Sequence, residues 1–171
     1  IDKGVMTLVD VDHQSELMVH LSERHVHRSA GGAAANTVIA LAQLGGRGFY
    51  TCKVADDELG DLYADDLRAN GVETNARETG ESGHTGRCLV FVTPDADRTM
   101  ATYLGITGSL GRHELVPDAL RQSEFLYAEG YLATSETALE AVLHAREIAR
   151  EAGVRTALSL SDPAIVANFR E

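Results

Sequence analysis

Residues 31–37 read Gly-Gly-Ala-Ala-Ala-Asn-Thr. Two glycines followed by three alanines strip side-chain bulk from the start of a predicted helix. A ligand can come close to the backbone there, beside free N–H groups and the positive end of the helix dipole. Asn36 can donate and accept hydrogen bonds at once, which suits the vicinal hydroxyls of a sugar. A tightly packed helix start with Asn36 satisfied locally accounts for the same residues, and spacing does not separate the two. The segment is neither a G-x-G-x-x-G fingerprint nor a Walker A loop.

Three other positions carry chemistry. Arg98 follows an Asp-rich turn, where a bidentate guanidinium can hold a phosphate or pair with Asp95 or Asp97. Glu129 lies between apolar residues at a strand end. A carboxylate buried there needs a partner or a ligand hydroxyl, unless it faces solvent past the sheet edge. The carboxyl ends of strands are where open α/β sheets bind ligands. Tyr131, two residues on, can stack on a base or sugar ring or fill the core. The seven histidines offer little to a metal. His25-x-His27 has no Asp, Glu or Cys at a supporting spacing, and His113-Glu114 lacks the second His of H-E-x-x-H, so no protein-built metal site is expected. No G-x-S-x-G occurs. Cys52 and Cys88 read as small core hydrophobes.

The elements that position these residues follow from periodicity. Val5 to Val11 has a strand's composition, Asp12 to Ser15 is turn-like, and Glu16 to Leu21 returns as a second strand or opens a short helix. Ala33 to Leu44 is helical and stopped by Gly45-Gly46. Phe49 to Val54 is a strand. Asp56-Asp57 can cap the next helix, with Leu59, Leu62, Tyr63 and Leu67 as its apolar stripe, before Asn70-Gly71. Arg87 to Thr93 and Arg98 to Leu104 form a hairpin around Pro94-Asp95-Ala96-Asp97. Phe125 to Leu132 is a strand. Ser135 to Ala152 is a helix with Thr137 and Glu140 as a capping box and a stripe of Leu139, Val142, Leu143, Arg146 and Ala149. Val154 to Leu160 is a last strand. Alternating helices and apolar strands point to an α/β sheet with crossover helices. The hairpin-like segments before Gly31 and over 86–104 suggest an antiparallel accessory sheet.

Composition bounds the function. The 171 residues hold 15 Lys+Arg against 26 Asp+Glu, a net charge of −11. That balance excludes a broad basic face of the kind that binds nucleic acid or anionic membranes, but leaves room for a local phosphate pocket. A hydrophobic fraction of 44% is that of a globular chain. No apolar run reaches the roughly 20 residues that span a bilayer, and no signal segment opens the chain. Two cysteines are too few for a disulfide scaffold and fit a reducing cytoplasm.

Taken in order, these segments resemble the PfkB-type carbohydrate kinases, the ribokinase and adenosine kinase superfamily. Gly31 to Thr37 is similar to that family's N-terminal signature. Lys53-Val54-Ala55-Asp56-Asp57-Glu58-Leu59-Gly60 is similar to its G-D-D-x-x-G stretch, with Ala55 where many relatives have Gly. Asn70-Gly71-Val72 follows. Thr85-Gly86 and Pro94 to Thr99 resemble the segment where lid strands rejoin the sheet. Glu129-Gly130-Tyr131 and Ser161-Asp162-Pro163 fit later strand ends. The resemblance covers nearly the whole sequence.

It implies a three-layer α/β/α ribokinase-like sheet with a small β-sheet lid, here a partial domain over 1–171. Lid segments are expected at about 4–28 and 86–104. It implies transfer of the ATP γ-phosphoryl group to a sugar or nucleoside hydroxyl, with Mg²⁺, in the cytoplasm. By the same resemblance Gly31, Gly32 and Asn36 hold acceptor hydroxyls, Glu129 and Tyr131 line the acceptor site, Met6 belongs to the lid over it, and Arg98 neutralises the transferred phosphate. The resemblance does not extend to two family segments: the Gly-Ala-Gly-Asp that carries the catalytic base, and the N-x-x-E segment linked to Mg²⁺. The first strand, which usually supplies an Asp for sugar binding, is expected before Ile1. The residues therefore hold the acceptor side and lid without the nucleotide side, and are not expected to catalyse alone. Tyr131 and the Ala-rich helix start lean toward a nucleoside or ribose-like acceptor. The competing reading is a non-catalytic sugar- or nucleoside-binding module, or a homodimerisation module acting through the lid sheet, whose free edges and apolar face a second copy can cover.

Overall fold

Helix boundaries here are written in side chains. In the computed structural model, which describes residues 1–21, 26–76 and 81–169, Asp57 caps α3 (Glu58–Ala69) by accepting from the Gly60 amide at 2.8 Å. Gly71, at φ +78°, follows its end. Helix α2 (Ala33–Gln43) starts after Gly32 at φ +103° and gives way to Gly45 at φ +88°. Helix α5 (Glu136–Glu151) is capped by Ser135, two residues ahead of the expected Thr137–Glu140 box.

Strands and crossovers alternate. Strand β2 (Phe49–Tyr50) and β3 (Glu73–Thr74) pair in parallel across α3, and β6 (Phe125–Glu129) pairs in parallel with β7 (Arg155–Ser159) across α5. Helix α2 packs on both β2 and β6, so the two pairs share one cover. Helix α4 (Pro117–Arg121) leads into β6, and α6 (Pro163–Asn168) follows β7. The core between α2 and α3 is built from small side chains: Ala35 and Ala64 are fully buried beside Leu67, Val72, Cys52 and Val54. Small residues let the helices approach closely, and Gly60 is part of this, since a Cβ there would sit 2.2 Å from the Ala55 carbonyl oxygen.

Three expectations change. The strand expected over Phe49–Val54 keeps its ladder only to Tyr50. Past that point the Cys52 amide donates to the Asn75 side chain at 3.0 Å, so a side chain replaces the ladder partner. On α5 the buried stripe is Ala138, Ala141, Ala145, Ile148 and Ala149, while Leu139 and Leu143 are 40% and 52% exposed. Its small residues pack inward, and its leucines form a second, open face. Finally, among the described residues no hairpin forms before Gly31. Met6–Leu8 is a strand (β1), but Val11–His20 is helix α1, started by the Asp10 carboxylate accepting from His13 N at 2.8 Å. The polar run Asp12 to Ser15 is the first turn of this helix rather than a loop. Residues 22–25 of the expected lid segment 4–28, with His25 of the His25-x-His27 pair, lie outside the described residues.

The hairpin over 86–104 forms as expected, from antiparallel β4 (Arg87–Val92) and β5 (Arg98–Tyr103). Strand β1 joins the other edge of β5 in parallel, giving the order β1-β5-β4. Helix α1 covers one face. Its Gln14 is wholly buried; the side-chain amide donates to the Arg87 carbonyl at 3.1 Å, and Gln14 Oε1 accepts from Arg87 Nε. The opposite face presents Met6, Leu8, Val90, Val92, Arg98 and Met100, and Val90 and Val92 on it are exposed.

Glycines join this small sheet to the core. A Cβ on Gly86 would lie 2.5 Å from the Leu104 oxygen, and one on Gly105 2.1 Å from the His84 oxygen. Core contacts fix both approaches. Thr85 is held by Asp57 and by the Ala55 amide. The Lys53 ammonium is buried against Glu81 at 3.0 Å and Glu114 at 3.2 Å, and the Lys53 carbonyl accepts from Thr107 Oγ1.

Asp57 gives a pH prediction. Burial alone would raise its carboxyl, but hydrogen bonds from the Thr85 hydroxyl and amide and the Gly60 amide outweigh it and hold the pKa below its ordinary 3.8. The unfolded chain then takes up this proton first as the pH falls. The stabilisation is complete above the unfolded value and fades as the pH drops through the lower folded value. Urea midpoints are expected to fall between pH 5 and pH 3 by less in Asp57→Asn than in the parent; equal losses contradict it.

Candidate acceptor site

The start of α2 combines openness with unoccupied donors. Asn36 N donates to Gly32 O at 2.9 Å, the first helical bond, and no side chain caps the helix. Among the described residues the Gly31 and Gly32 amides donate to no protein atom. A Cβ on either glycine would meet nothing within 4 Å. Gly32 needs its glycine for φ +103°, whereas neither crowding nor a positive φ demands one at Gly31. Asn36 is exposed on the first turn.

Glu129 ends β6 and is only 9% exposed. Its Oε1 accepts from the Tyr127 hydroxyl at 2.7 Å and its Oε2 from the Ser161 hydroxyl at 2.7 Å. Burial pushes the carboxyl up, but the hydroxyls of Ser161, Tyr127 and Ser159 more than offset this, and its pKa lies below the ordinary carboxylate value. The group is thus a fixed anion with lone pairs to spare for a further hydroxyl. Removing one donor tests this: in Ser161→Ala the Glu129 carboxyl is expected to titrate at higher pH than in the parent, read by ¹³C NMR, and an unmoved titration contradicts it.

Tyr131 lies just past the strand, in the turn Gly130–Thr134, and not in a strand running on to Leu132. The chain runs close to its neighbour at that break: a Cβ on Gly130 would lie 3.0 Å from the Leu160 oxygen. The Tyr131 amide donates to Ser161 Oγ at 3.3 Å, so Ser161, at a left-handed φ of +64°, ties Glu129 and Tyr131 together.

Tyr50 and Tyr63 pack with ring centroids 6.5 Å apart. The Tyr63 hydroxyl donates to the Gly31 carbonyl at 3.0 Å. Burial pushes the Tyr50 hydroxyl up to about 12, and the Glu129 charge adds to the shift. The tyrosine pair is thus tied to Gly31 by a hydrogen bond and feels the Glu129 charge. Met6 and Arg98 share the open face of the lid sheet, on neighbouring strands. Arg98 pairs with neither neighbouring aspartate: Asp95 is taken by Lys3 at 2.5 Å, the Asp97 carboxylate accepts from the Arg98 amide at 3.0 Å, and the guanidinium has no ion pair among the described residues. Among the described residues no hydrogen bond joins Met6 or Arg98 to Gly31, Asn36, Glu129 or Tyr131. The sequence assigns none of Tyr127, Ser159, Ser161 and Tyr63 to the site: Tyr63 reads as part of an apolar stripe and Ser161 as part of a strand end. The alternating hydroxyls of Ser159-Leu160-Ser161 were the available signal.

An α/β body with parallel strand pairs, crossover helices and a three-stranded lid is a ribokinase-like fold, and solved structures share it. The chain matches an adenosine kinase from Sinorhizobium meliloti with a TM-score of 0.90 and 38% identity, covering 100% of this chain and 52% of that one. It matches a probable sugar kinase protein from Rhizobium etli CFN 42 with a TM-score of 0.90 and 34% identity, over 99% and 51% of the two chains. Among curated proteins, a probable fructokinase-3 of Arabidopsis thaliana is 32% identical over 146 residues, 84% of this chain and 40% of its own length. The model of the pfkB family carbohydrate kinases matches residues 1–171. The chain belongs to the pfkB family of carbohydrate kinases, and it spans 40% to 52% of the lengths of these three relatives.

Among the described residues no helix is long and apolar enough to cross a membrane.

Proposed function

We propose that this chain forms the acceptor side and lid of an ATP-dependent kinase that phosphorylates a hydroxyl of a nucleoside or sugar, with a ribose-bearing nucleoside favoured. One observation carries the reading: the fold does not require a glycine at Gly31, a Cβ there would meet open space, and among the described residues the Gly31 and Gly32 amides donate to no protein atom. Those amides and Asn36 suit the hydroxyls of a sugar, and Glu129 is placed to accept from another. Tyr131, 38% exposed beside Glu129, offers a ring face to a base. The likeness to an adenosine kinase supports the nucleoside, and the likeness to a fructokinase supports the sugar.

The lid supplies the other wall. Phosphoryl transfer depends on positioning and charge stabilisation, and a closed apolar face keeps water from competing as acceptor. Arg98, without an ion pair on that face, is available to a phosphate. Among the described residues no three His, Cys, Asp or Glu side chains converge on a metal, and the sequence holds no Gly-Ala-Gly-Asp, so no nucleotide or Mg²⁺ contact is assigned to this chain.

Calorimetric titration with adenosine, ribose and fructose tests the reading. Adenosine is expected to bind most tightly, and Asn36→Ala to weaken it about fivefold, the worth of roughly 1 kcal/mol for one hydrogen bond. Binding of none of the three contradicts the reading. The open apolar lid face favours one second reading, a module that pairs with another copy through the lid. Sedimentation equilibrium tests it: a dimer that Val90→Lys dissociates supports it, and a monomer excludes it.

A further inference from the structure

Gly31 and Gly32 have the most freely rotating backbone of any residue pair and no side chains to anchor it. Their pose must be set from outside. Helix α3 does this with two side chains three residues apart, which fall on one helix face. The Tyr63 hydroxyl donates to Gly31 O at 3.0 Å, and Asp66 Oδ2 accepts from Ala30 N at 2.5 Å. These bonds seize the chain directly ahead of the first open amide. Asp66 is steadied in turn: its other oxygen accepts from Asn70 Nδ2 at 3.3 Å. Asn70 Oδ1 accepts from Gln43 at the far end of α2, also at 3.3 Å. One helix therefore grips the other at both ends. Burial raises the Tyr63 hydroxyl well above its ordinary value, so it stays a donor across the physiological range.

We propose that Tyr63 and Asp66 are positioning residues of the acceptor site, acting through the backbone of Ala30 and Gly31 to hold the Gly31–Gly32 turn and the α2 amides in the pose that meets the ligand. The proposal rests on the reading of this turn as the acceptor site. Neither side chain has to touch the ligand. Their effect is to remove conformational freedom that the ligand would otherwise have to freeze on binding.

The ¹⁵N-labelled chain and its Tyr63→Phe, Asp66→Ala and Asp66→Asn variants test this, with adenosine as the probe. Heteronuclear NOEs of Gly31 and Gly32 are expected to fall in Tyr63→Phe and Asp66→Ala. Adenosine affinity should drop about fivefold in each, the effect of one lost hydrogen bond. Asp66→Asn keeps an acceptor for the Ala30 amide and is expected to restore both readouts. A merely structural role would loosen the turn and leave affinity unchanged, and that result overturns the proposal, as does a turn that stays rigid in both deletions. A parent chain that binds no adenosine instead defeats the acceptor reading itself, so the two failures are told apart by the parent's titration.

Discussion

Gly31→Leu is expected to fold like the parent and to lose at least about a hundredfold in adenosine affinity, roughly 3 kcal/mol of binding. The two halves of that expectation come from separate observations. A Cβ at Gly31 meets no protein atom within 4 Å, and its backbone does not lie in the left-handed region, so the fold bears little of the cost. The new side chain then occupies the space above the open amides of α2. Isothermal titration read beside a thermal melt checks this. A parent-like affinity places the ligand elsewhere, and a collapsed melt means the turn is crowded after all.

The second large effect falls on stability. Gly105→Ala puts a methyl group 2.1 Å from the His84 oxygen and asks alanine to hold φ +53°. The left-handed conformation costs about 1–2 kcal/mol. Overpacking against backbone adds about 1–3 kcal/mol, because neither Gly86 nor His84 can retreat while Thr85 is pinned to Asp57. A loss of about 3 kcal/mol lowers the melting temperature by about 6–12 °C in a chain of this length. A change of only a degree or two would show that the lid root gives way more easily than its contacts suggest. Gly153→Ala is the fitting control: it shares a positive φ, +73°, but its Cβ would meet nothing within 4 Å, so it should lose only the conformational part.

What the sequence made legible was local. Asp57, Gly45 and Gly71 announce helix ends because capping and left-handed turns are decided within four residues. The β4–β5 hairpin was readable because the alternation of Cys88, Val90 and Val92 against Leu89 and Phe91 survives in the sheet. Pairings distant in sequence were not readable. Nothing near Met6 indicates that it will lie beside Met100, and nothing near Cys52 that the Asn75 side chain will take its amide. Helix α1 was half-read because Asp12 to Ser15 has turn composition, and only the tertiary burial of Gln14 reveals which face turns inward. The leucines of α5 misled for a related reason: the small alanines win the close-packed position.

The candidate site divides the same way. Gly31, Gly32 and Asn36 could be found because the absence of side chains is visible in sequence. Glu129 could be suspected from its apolar neighbours. Its partners Ser159 and Ser161 could not, because they reach it from the end of the neighbouring strand, Ser161 from 32 residues away. Tyr63 looked like part of an apolar stripe, and only its hydroxyl bond to the Gly31 carbonyl separates it from one.

The central claim is that the start of α2, backed by Glu129, receives the acceptor. Adding adenosine to the ¹⁵N-labelled chain and following amide shifts tests it most directly. The largest shifts are expected at Gly31, Gly32 and Asn36, with smaller ones at Tyr131 and on the open face of β5 around Arg98. Shifts confined to other segments, or none at saturating adenosine, ribose and fructose, would contradict it.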